Sequence, residues 1–475
     1  MLDFAIFAVT FIILLVGLLI YIYPTTPQKT TTVPGLEPSD PVKGNLDEIG
    51  DAGSLHQFLT KLHAEHGDIA SFYFTDQLCV SITSPELFKE HQAVFNRPAL
   101  LFKLFEPLIT PDSIQYANGG DGRKRRDLTD RCFGFQALQN FIGVFNKITE
   151  QLVKKISALP PGEHISLHGT GLGLAIKGIM LTSFGDYFQD DKSITSFRKD
   201  YDFVWGEMEA RLDGNMPDEG SNRVKTFEEA RERMYATIQA VIKFRRSNPP
   251  SQDKEVFIDV LLKADYPPGR LQADLLTYVI GGFHTSGNLF AWALFFLAED
   301  DKIQEKLYNH VIDIVGKTGE VSMEDIAEMT YMRQVIDETL RVSILAPYAA
   351  RYQDFDVVLG GHVIPKGTPV IHALGVSLQS EKYFPNPKTF NPENFSAANV
   401  KKRPRDAYHP FGFAGRRVCP GQQFAYKEVA IFLAVFIRAF KVKLVPGQKP
   451  EHVHGLVSHL VNKDGGEVWI TVEKR

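Results

Sequence analysis

The chain has 475 residues, 44% of them hydrophobic, and a formal net charge of −5. That is ample apolar material for a large core, and the acidic balance argues against a general nucleic-acid binder. Three cysteines, Cys79, Cys132 and Cys419, form no disulfide framework and suit a reducing compartment.

Phe4 to Tyr23 is an apolar run broken only by Thr10 and Gly17. Roughly 20 such residues cross a bilayer. The acidic start at Asp3 and the Tyr-rich end favour an uncleaved anchor (1–23) over a signal peptide. Lys29 and Lys43 follow the run and nothing basic precedes it, which places the bulk of the chain in the cytosol. Pro24, Pro27, Pro34, Pro38 and Pro41 make 24–41 a stiff linker. The remainder, 42–475, reads as one large unit.

Leu55, Phe58, Leu59 and Leu62 predict a helix ended by Gly67. Ile69–Phe74 and Leu78–Ile82 predict a hairpin, and Pro85–His91 a short helix. Residues 96–121, with three prolines and Gly119-Gly120, read as irregular. Arg123-Lys124-Arg125-Arg126 opens the next helix. Residues 137–247 are mostly helical by period. Leu275–Leu297 is apolar all round and therefore a buried helix. Asp300–Val315 is amphipathic, and a further helix is predicted from Ser322 to about Val342. There Glu338 and Arg341 stand at i, i+3 on one face. Val357-Val358, Val370-Ile371 and Val468–Val472 read as strands.

The most informative stretch is Phe411-Gly412-Phe413-Ala414-Gly415-Arg416-Arg417-Val418-Cys419-Pro420-Gly421, followed by a helical apolar pattern from Phe424 to Phe436. A glycine loop offers one cysteine just ahead of a helix N-terminus, whose free N–H groups favour a thiolate. Gly415 and Gly421 let backbone approach a flat partner, and Arg417 can pair with an anion. A thiolate, a planar surface and an anion together describe haem held by cysteine. Within the buried helix, Gly281-Gly282-Phe283-His284-Thr285-Ser286 places two glycines four residues or fewer ahead of a hydroxyl. A local opening of the helix there leaves a groove and a free carbonyl, suited to an oxygen ligand over iron.

These residues resemble the signatures of the cytochrome P450 superfamily, the haem-thiolate monooxygenases, and the opening Met1–Phe11 with His284 looks most like the vertebrate orphan family 20. The resemblance implies a mainly α fold with a small β region, preceded by one transmembrane helix, with haem b on Cys419 as axial ligand. It implies propionate contacts from Arg126, Arg351 and Arg417, close haem approach at Gly415, Gly421 and Gly281, and Thr285 assisting protonation of dioxygen. Glu338 and Arg341 become a structural pair, completed by Asn394 as an acceptor from Arg341. Stretch 96–121 covers the substrate pocket. The chain departs from the family pattern at Gly122, where a Trp is usual, at His284, where an acid is usual, at Gly412, where Phe is usual, and at Asn394. His284 is either a proton relay or a core histidine bonded to a backbone carbonyl.

The implied partners are an NADPH-dependent flavoprotein reductase, with cytochrome b5 as a further candidate, a lipid bilayer and a small lipophilic substrate. Lys401, Lys402, Arg403, Arg405, Arg123, Lys124 and Arg416 are candidates for a basic docking patch. The expected location is the endoplasmic reticulum membrane, single-pass, with a lumenal N-terminus. Two rival readings stay open: a haem-thiolate isomerase or dehydratase that needs no reductase, and a non-enzymatic haem-binding membrane protein.

Overall fold

The structure, a computed structural model, describes residues 12–15, 31–212, 214–251, 254–264, 266–413 and 415–475. Apart from the helical, exposed residues 12–15, the span expected over Phe4–Tyr23 lies outside the described residues, as does the linker up to residue 30. Among the described residues no helix is long and apolar enough to cross a membrane. From Val33 onward the segment expected as linker is already packed. Val33 is fully buried, and Pro34 and Leu36 exchange backbone hydrogen bonds with Ser71 at 2.8 and 2.9 Å. Gly35 is needed at this contact, because a Cβ would collide with the Ser71 backbone.

Helices α1 (Leu46–Asp51) and α2 (Leu55–His66) lead into the hairpin β1 (Ile69–Phe74) and β2 (Gln77–Ile82), then α3 (Pro85–His91). Ser54 and Ser84 cap α2 and α3 by accepting from the third amide along, as small hydroxyl residues do at helix starts. The stretch expected as irregular holds a 3-10 turn (Ala99–Phe105) and α4 (Glu106–Ile109), and α5 begins within it (Gly119–Thr129). The long helices follow: α6 (Phe135–Ser157), β3 (Ile165–Ser166), α7 (Leu167–Phe184), α8 (Asp191–Leu212), α9 (Asn222–Ser247), α10 (Phe257–Lys263) and α11 (Pro268–Glu299). Next come α12 (Asp301–Val315), α13 (Met323–Glu328) and α14 (Thr330–Ser343), then β4 (Ala349–Arg351), β5 (Val357–Leu359), β6 (His362–Ile364), β7 (Val370–His372), α15 (Leu374–Leu378) and α16 (Ala397–Val400). The chain closes with α17 (Gln422–Ala439), β8 (Phe440–Leu444), β9 (Pro450–His454), β10 (Ser458–Asn462) and β11 (Trp469–Lys474).

The single helix expected over Ser322–Val342 is two. Met329 leaves helical geometry with ψ +63°, and the Tyr331 amide donates to His310 Nε2 at 3.2 Å. A tertiary partner thus supplies what a continuous helix would have supplied internally.

The main sheet has the order β1-β2-β7-β4, with β2 and β7 parallel and the other pairs antiparallel. The helical core is built on two long contacts, α7 along α11 and α6 along α17. Glycines make the first possible. A Cβ at Gly171 would collide with the Gly287 carbonyl, and one at Gly287 would press on Leu172, so the two backbones cross in contact. Helix α11 is buried along most of its length, as its sequence predicts.

Candidate haem-thiolate site

The cysteine loop is fixed from both ends. The Cys419 amide donates to the Phe411 carbonyl at 3.0 Å, and α17 starts directly behind, with Gly421 at its N-cap. Gly412 and Gly415 adopt positive φ (+85° and +43°), which a side chain disfavours. The turn at Gly412 sends its flanking phenylalanines to different neighbours. Phe411 packs on Tyr426 at 5.2 Å, while Phe413 lies 4.1 Å from His409 and 5.8 Å from Phe88. Tyr426 in turn donates to Asp337 and sits under the Arg333 guanidinium at 3.6 Å. The side-chain space at Gly412 itself stays open, and the two flanking rings are anchored on separate neighbours.

Cys419 has open surface, yet protein encloses its sulfur. That combination fits a recess in the protein rather than a convex surface. Burial pushes the thiol up, and the Gly421 amide with Arg126 and Arg97 pulls it back only in part. The helix N-terminus alone does not make the thiolate; a coordinated metal cation would, since it deprotonates a ligating thiol outright.

Around the sulfur stand four arginines. Arg126 on α5 is held by Asp130 at 2.7 and 3.1 Å and donates to the Val418 carbonyl at 2.8 Å. Arg351, at the end of β4, donates to the carbonyls of Ala350 and Arg417, and its Nε is buried without a partner. Arg417 donates to the carbonyls of Phe95, Ile114 and Ala117, tying the cysteine loop to the 95–117 stretch. Arg97 was not anticipated from the sequence. It reaches Gln115, and its Nε is also buried and unpartnered. Among the described residues no carboxylate pairs with Arg97, Arg351 or Arg417. Burial, then mutual repulsion, pushes Arg417 down to about 8, Arg97 to about 10 and Arg351 well below the usual value. Arginine keeps its proton in proteins, so such a cluster calls for anions.

The usual Trp place, Gly122, is occupied from elsewhere. A Cβ there would collide with the Ala117 carbonyl and come within 2.8 Å of Phe95 Cε1. The Phe95 ring fills that space, with Arg417 and Arg123 on it at 4.2 and 4.8 Å.

The opposite wall is α11. Tyr278 lies within electrostatic reach of Arg126, Arg97 and Arg417. One turn on, Gly281 is exposed in the middle of a buried helix, and a Cβ there would meet no atom within 4 Å. The helix does not open as expected: it is continuous, and Thr285 Oγ1 donates to the Gly281 carbonyl at 2.5 Å. Side-chain bonding takes up the carbonyl that an opening would have freed. His284 points to the other side. Its ring stacks on Trp205 at 4.3 Å and on Tyr201 at 5.4 Å. It lines a polar pocket of about 290 Å³ with His168, His459, Arg198 and Asp202. Its Nε2 is buried without a partner, and burial holds it well below its usual pKa. Asn288 bridges the pocket to the helix, donating to the His284 carbonyl at 2.9 Å and meeting His168 Nδ1 at 3.0 Å.

Glu338 and Arg341 are both fully buried and bonded twice, at 2.7 and 2.8 Å. Arg341 also donates to the carbonyls of Leu378, Pro387 and Thr389. Asn394 joins this knot with reversed polarity to that expected: its Nδ2 donates to Glu338 Oε1 at 3.0 Å. Arg341 has no need of it, because carbonyls satisfy the guanidinium and Glu338 needs donors. The basic patch also thins. Arg403 turns inward onto Phe384 and Phe395 and donates to the Asn394 carbonyl, and Arg416 pairs with Asp127 at 3.6 Å.

An enclosed cysteine sulfur, three arginines lacking counter-anions and a facing helix bared at a glycine fit a flat, dianionic, metal-bearing group. Haem b has that character. Cys419 would hold its iron, and Arg97, Arg126, Arg351 and Arg417 would neutralise its propionates.

A cytochrome P450 family model matches residues 34–468. The chain is 33% identical over 480 residues to Cytochrome P450 20A1 of Bos taurus and 32% identical over 479 residues to that of Homo sapiens, with 100% of each chain covered. The crystal structure of a cytochrome P450 (CYP102L1) superposes with a TM-score of 0.77 at 23% identity, covering 89% of this chain and 98% of that one. The chain thus belongs to the cytochrome P450 superfamily, the haem-thiolate monooxygenases, and stands with family 20 within it.

Proposed function

We propose that the protein takes electrons from NADPH through a flavoprotein reductase and inserts one oxygen atom of dioxygen into a small lipophilic substrate. The observation that carries this reading is the exposed thiol of Cys419 beside arginines that lack counter-anions. Haem bound there supplies the redox chemistry that activates dioxygen. The chain's own residues do the rest. The arginines neutralise and orient the acidic groups. Gly281 leaves room against α11, and Thr285 holds a proton at Oγ1 beside that room. His284 faces the polar pocket behind α11, away from that room, and Thr285 beside it carries the proton step. Residues 1–23 anchor the chain in the endoplasmic reticulum membrane, with the catalytic unit in the cytosol. Lys401, Lys402, Arg405, Lys124 and Arg416, which stay exposed, receive the reductase, with cytochrome b5 as a second donor.

The carbon monoxide difference spectrum of the reduced protein tests the first half. A strongly red-shifted Soret band is expected, and Cys419→Ser abolishes it. Reductase-supported NADPH consumption in the presence of lipophilic compounds tests the second half. One observation favours a second reading, a reductase-independent isomerase or dehydratase acting on a peroxide: the His284 ring is clamped between aromatic rings on the far side of α11. A red-shifted band, with peroxide turnover and no NADPH consumption, would select that alternative.

A further inference from the structure

Glu428 is a fully buried acid that none of the chemistry above uses. It lies on α17, nine residues beyond Cys419. Both carboxyl oxygens are buried without a hydrogen bond of ordinary geometry. The Ser286 side chain on α11 is the polar group beside it. From α7 the carboxyl meets Gly178, where an added Cβ would collide with Oε1 and also lie 3.6 Å from Phe145 Cε1 on α6. The carboxyl thus fills a notch that only glycine leaves, at the node of four helices. That node sits beside the backbone crossing at Gly171 and Gly287, one residue from Ser286 and two from Thr285. The groups facing it, Phe145, Gly178 and Ser286, carry no charge, and no charged neighbour contributes to its shift. An ionised carboxylate in such a place would be uncompensated, so burial keeps the proton on up to about pH 8.

We propose that Glu428 is an uncharged wedge, a positioning residue that sets the α11 segment carrying Ser286 and Thr285 against the helix that follows Cys419. The wedge links the two walls of the haem site through packing in the Gly178 notch. Loss of its proton drives the carboxylate out of the notch and shifts that segment. This rests on the haem-thiolate reading, and the test separates the two.

The sign follows from the raised value. The unfolded chain releases this proton near the ordinary carboxylate pKa, while the fold keeps it to about 8. The contribution is whole below the unfolded pKa and is lost as pH rises toward 8, about tenfold in the folding constant per pH unit, with no further loss above. The full-length holoprotein, its Glu428→Gln variant, Gly178→Ala and the double variant Gly178→Ala/Glu428→Ala are compared between about pH 5 and about pH 9. Thermal midpoint and the reduced carbon monoxide spectrum are read. Relative to the parent, Glu428→Gln is expected to lose the downward slope of the midpoint and the spectral change centred near pH 8. Gly178→Ala is expected to lower the midpoint, and the double variant to recover it, because the colliding carboxyl is gone. The Gly178 series decides even if the Gln variant does not fold. A Glu428→Gln slope equal to the parent's, or a double variant no better than Gly178→Ala, overturns the proposal. Absence of the red-shifted band in the parent at neutral pH instead overturns the haem-thiolate reading, and leaves the midpoint comparison standing.

Discussion

Two of the buried arginine networks in this molecule, one around Arg341 and one around Cys419, are built on opposite principles. At the end of α14, Arg341 has Glu338 on one side and three carbonyls on the other, and Glu338 receives two further donors, from Asn391 N and Asn394 Nδ2. Every strong group is answered within the chain. Around Cys419 the guanidiniums of Arg97 and Arg351 keep a buried Nε unanswered, and the cations depress one another. A closed network specifies the fold; an open one specifies a ligand. The contrast separates the architectural residues from the binding residues without reference to any relative.

The largest way to break the contrast is to remove Glu338. Glu338→Ala leaves Arg341 charged and unpaired at zero exposure, and is expected to cost about 3–5 kcal/mol, read as a collapsed thermal midpoint or no soluble protein. A third cluster sharpens the rule by escaping it. His56, His452 and His454 stack with ring centroids 4.8 and 4.0 Å apart, and they escape repulsion by staying neutral. Burial brings His56 to about 4 and His452 to about 3. Their contribution is whole above the unfolded histidine pKa and is lost as pH falls from there toward 4. Below the unfolded histidine pKa, stability should drop by about tenfold per pH unit for each imidazole, and replacing both by glutamine should make the profile shallower, with the share of other buried imidazoles such as His284 and His91 remaining. Arg351→Met tests the open network directly. It should leave the apoprotein unchanged or more stable by about 1 kcal/mol, because a strained cation is gone. In the holoprotein it should speed transfer of haem to an excess of apo-globin. The smallest effect belongs to Asn394→Ala. Glu338 loses one of several donors, so about 1 kcal/mol is expected in denaturant unfolding, with no change in the haem spectrum.

What the sequence disclosed follows from where the information is local. Helix α2, the β1–β2 hairpin, the long α11 and the cysteine loop could be read from period, caps and glycine spacing. Arg97 could not: it is one arginine in an irregular stretch, and only the fold carries it to the sulfur. Its signal was Asn96-Arg97-Pro98, a cation held extended by the proline that follows, which is too common to stand alone. The polarity of Asn394 was misjudged because an amide works either way, and the choice depended on carbonyls delivered from 378 to 389. Glu428 sits beside Lys427 and reads as part of a wet face, until α7 and α11 close over it. The break at Met329 has no glycine or proline to announce it; His310, on another helix, makes it.

Glycine at position 122, with the Phe95 ring in the space beside it, also limits how the pair can change. The two positions are mutually exclusive: any side chain at 122 meets the Phe95 ring, and a smaller residue at 95 withdraws the surface on which Arg123 and Arg417 rest. Neither step is acceptable first. A chain with this arrangement is held in it, and reversion requires both changes together with a shift of the Ala117 backbone, whose carbonyl a Cβ at 122 would also strike. Within families that share the pair, positions 95 and 122 should therefore vary together or not at all.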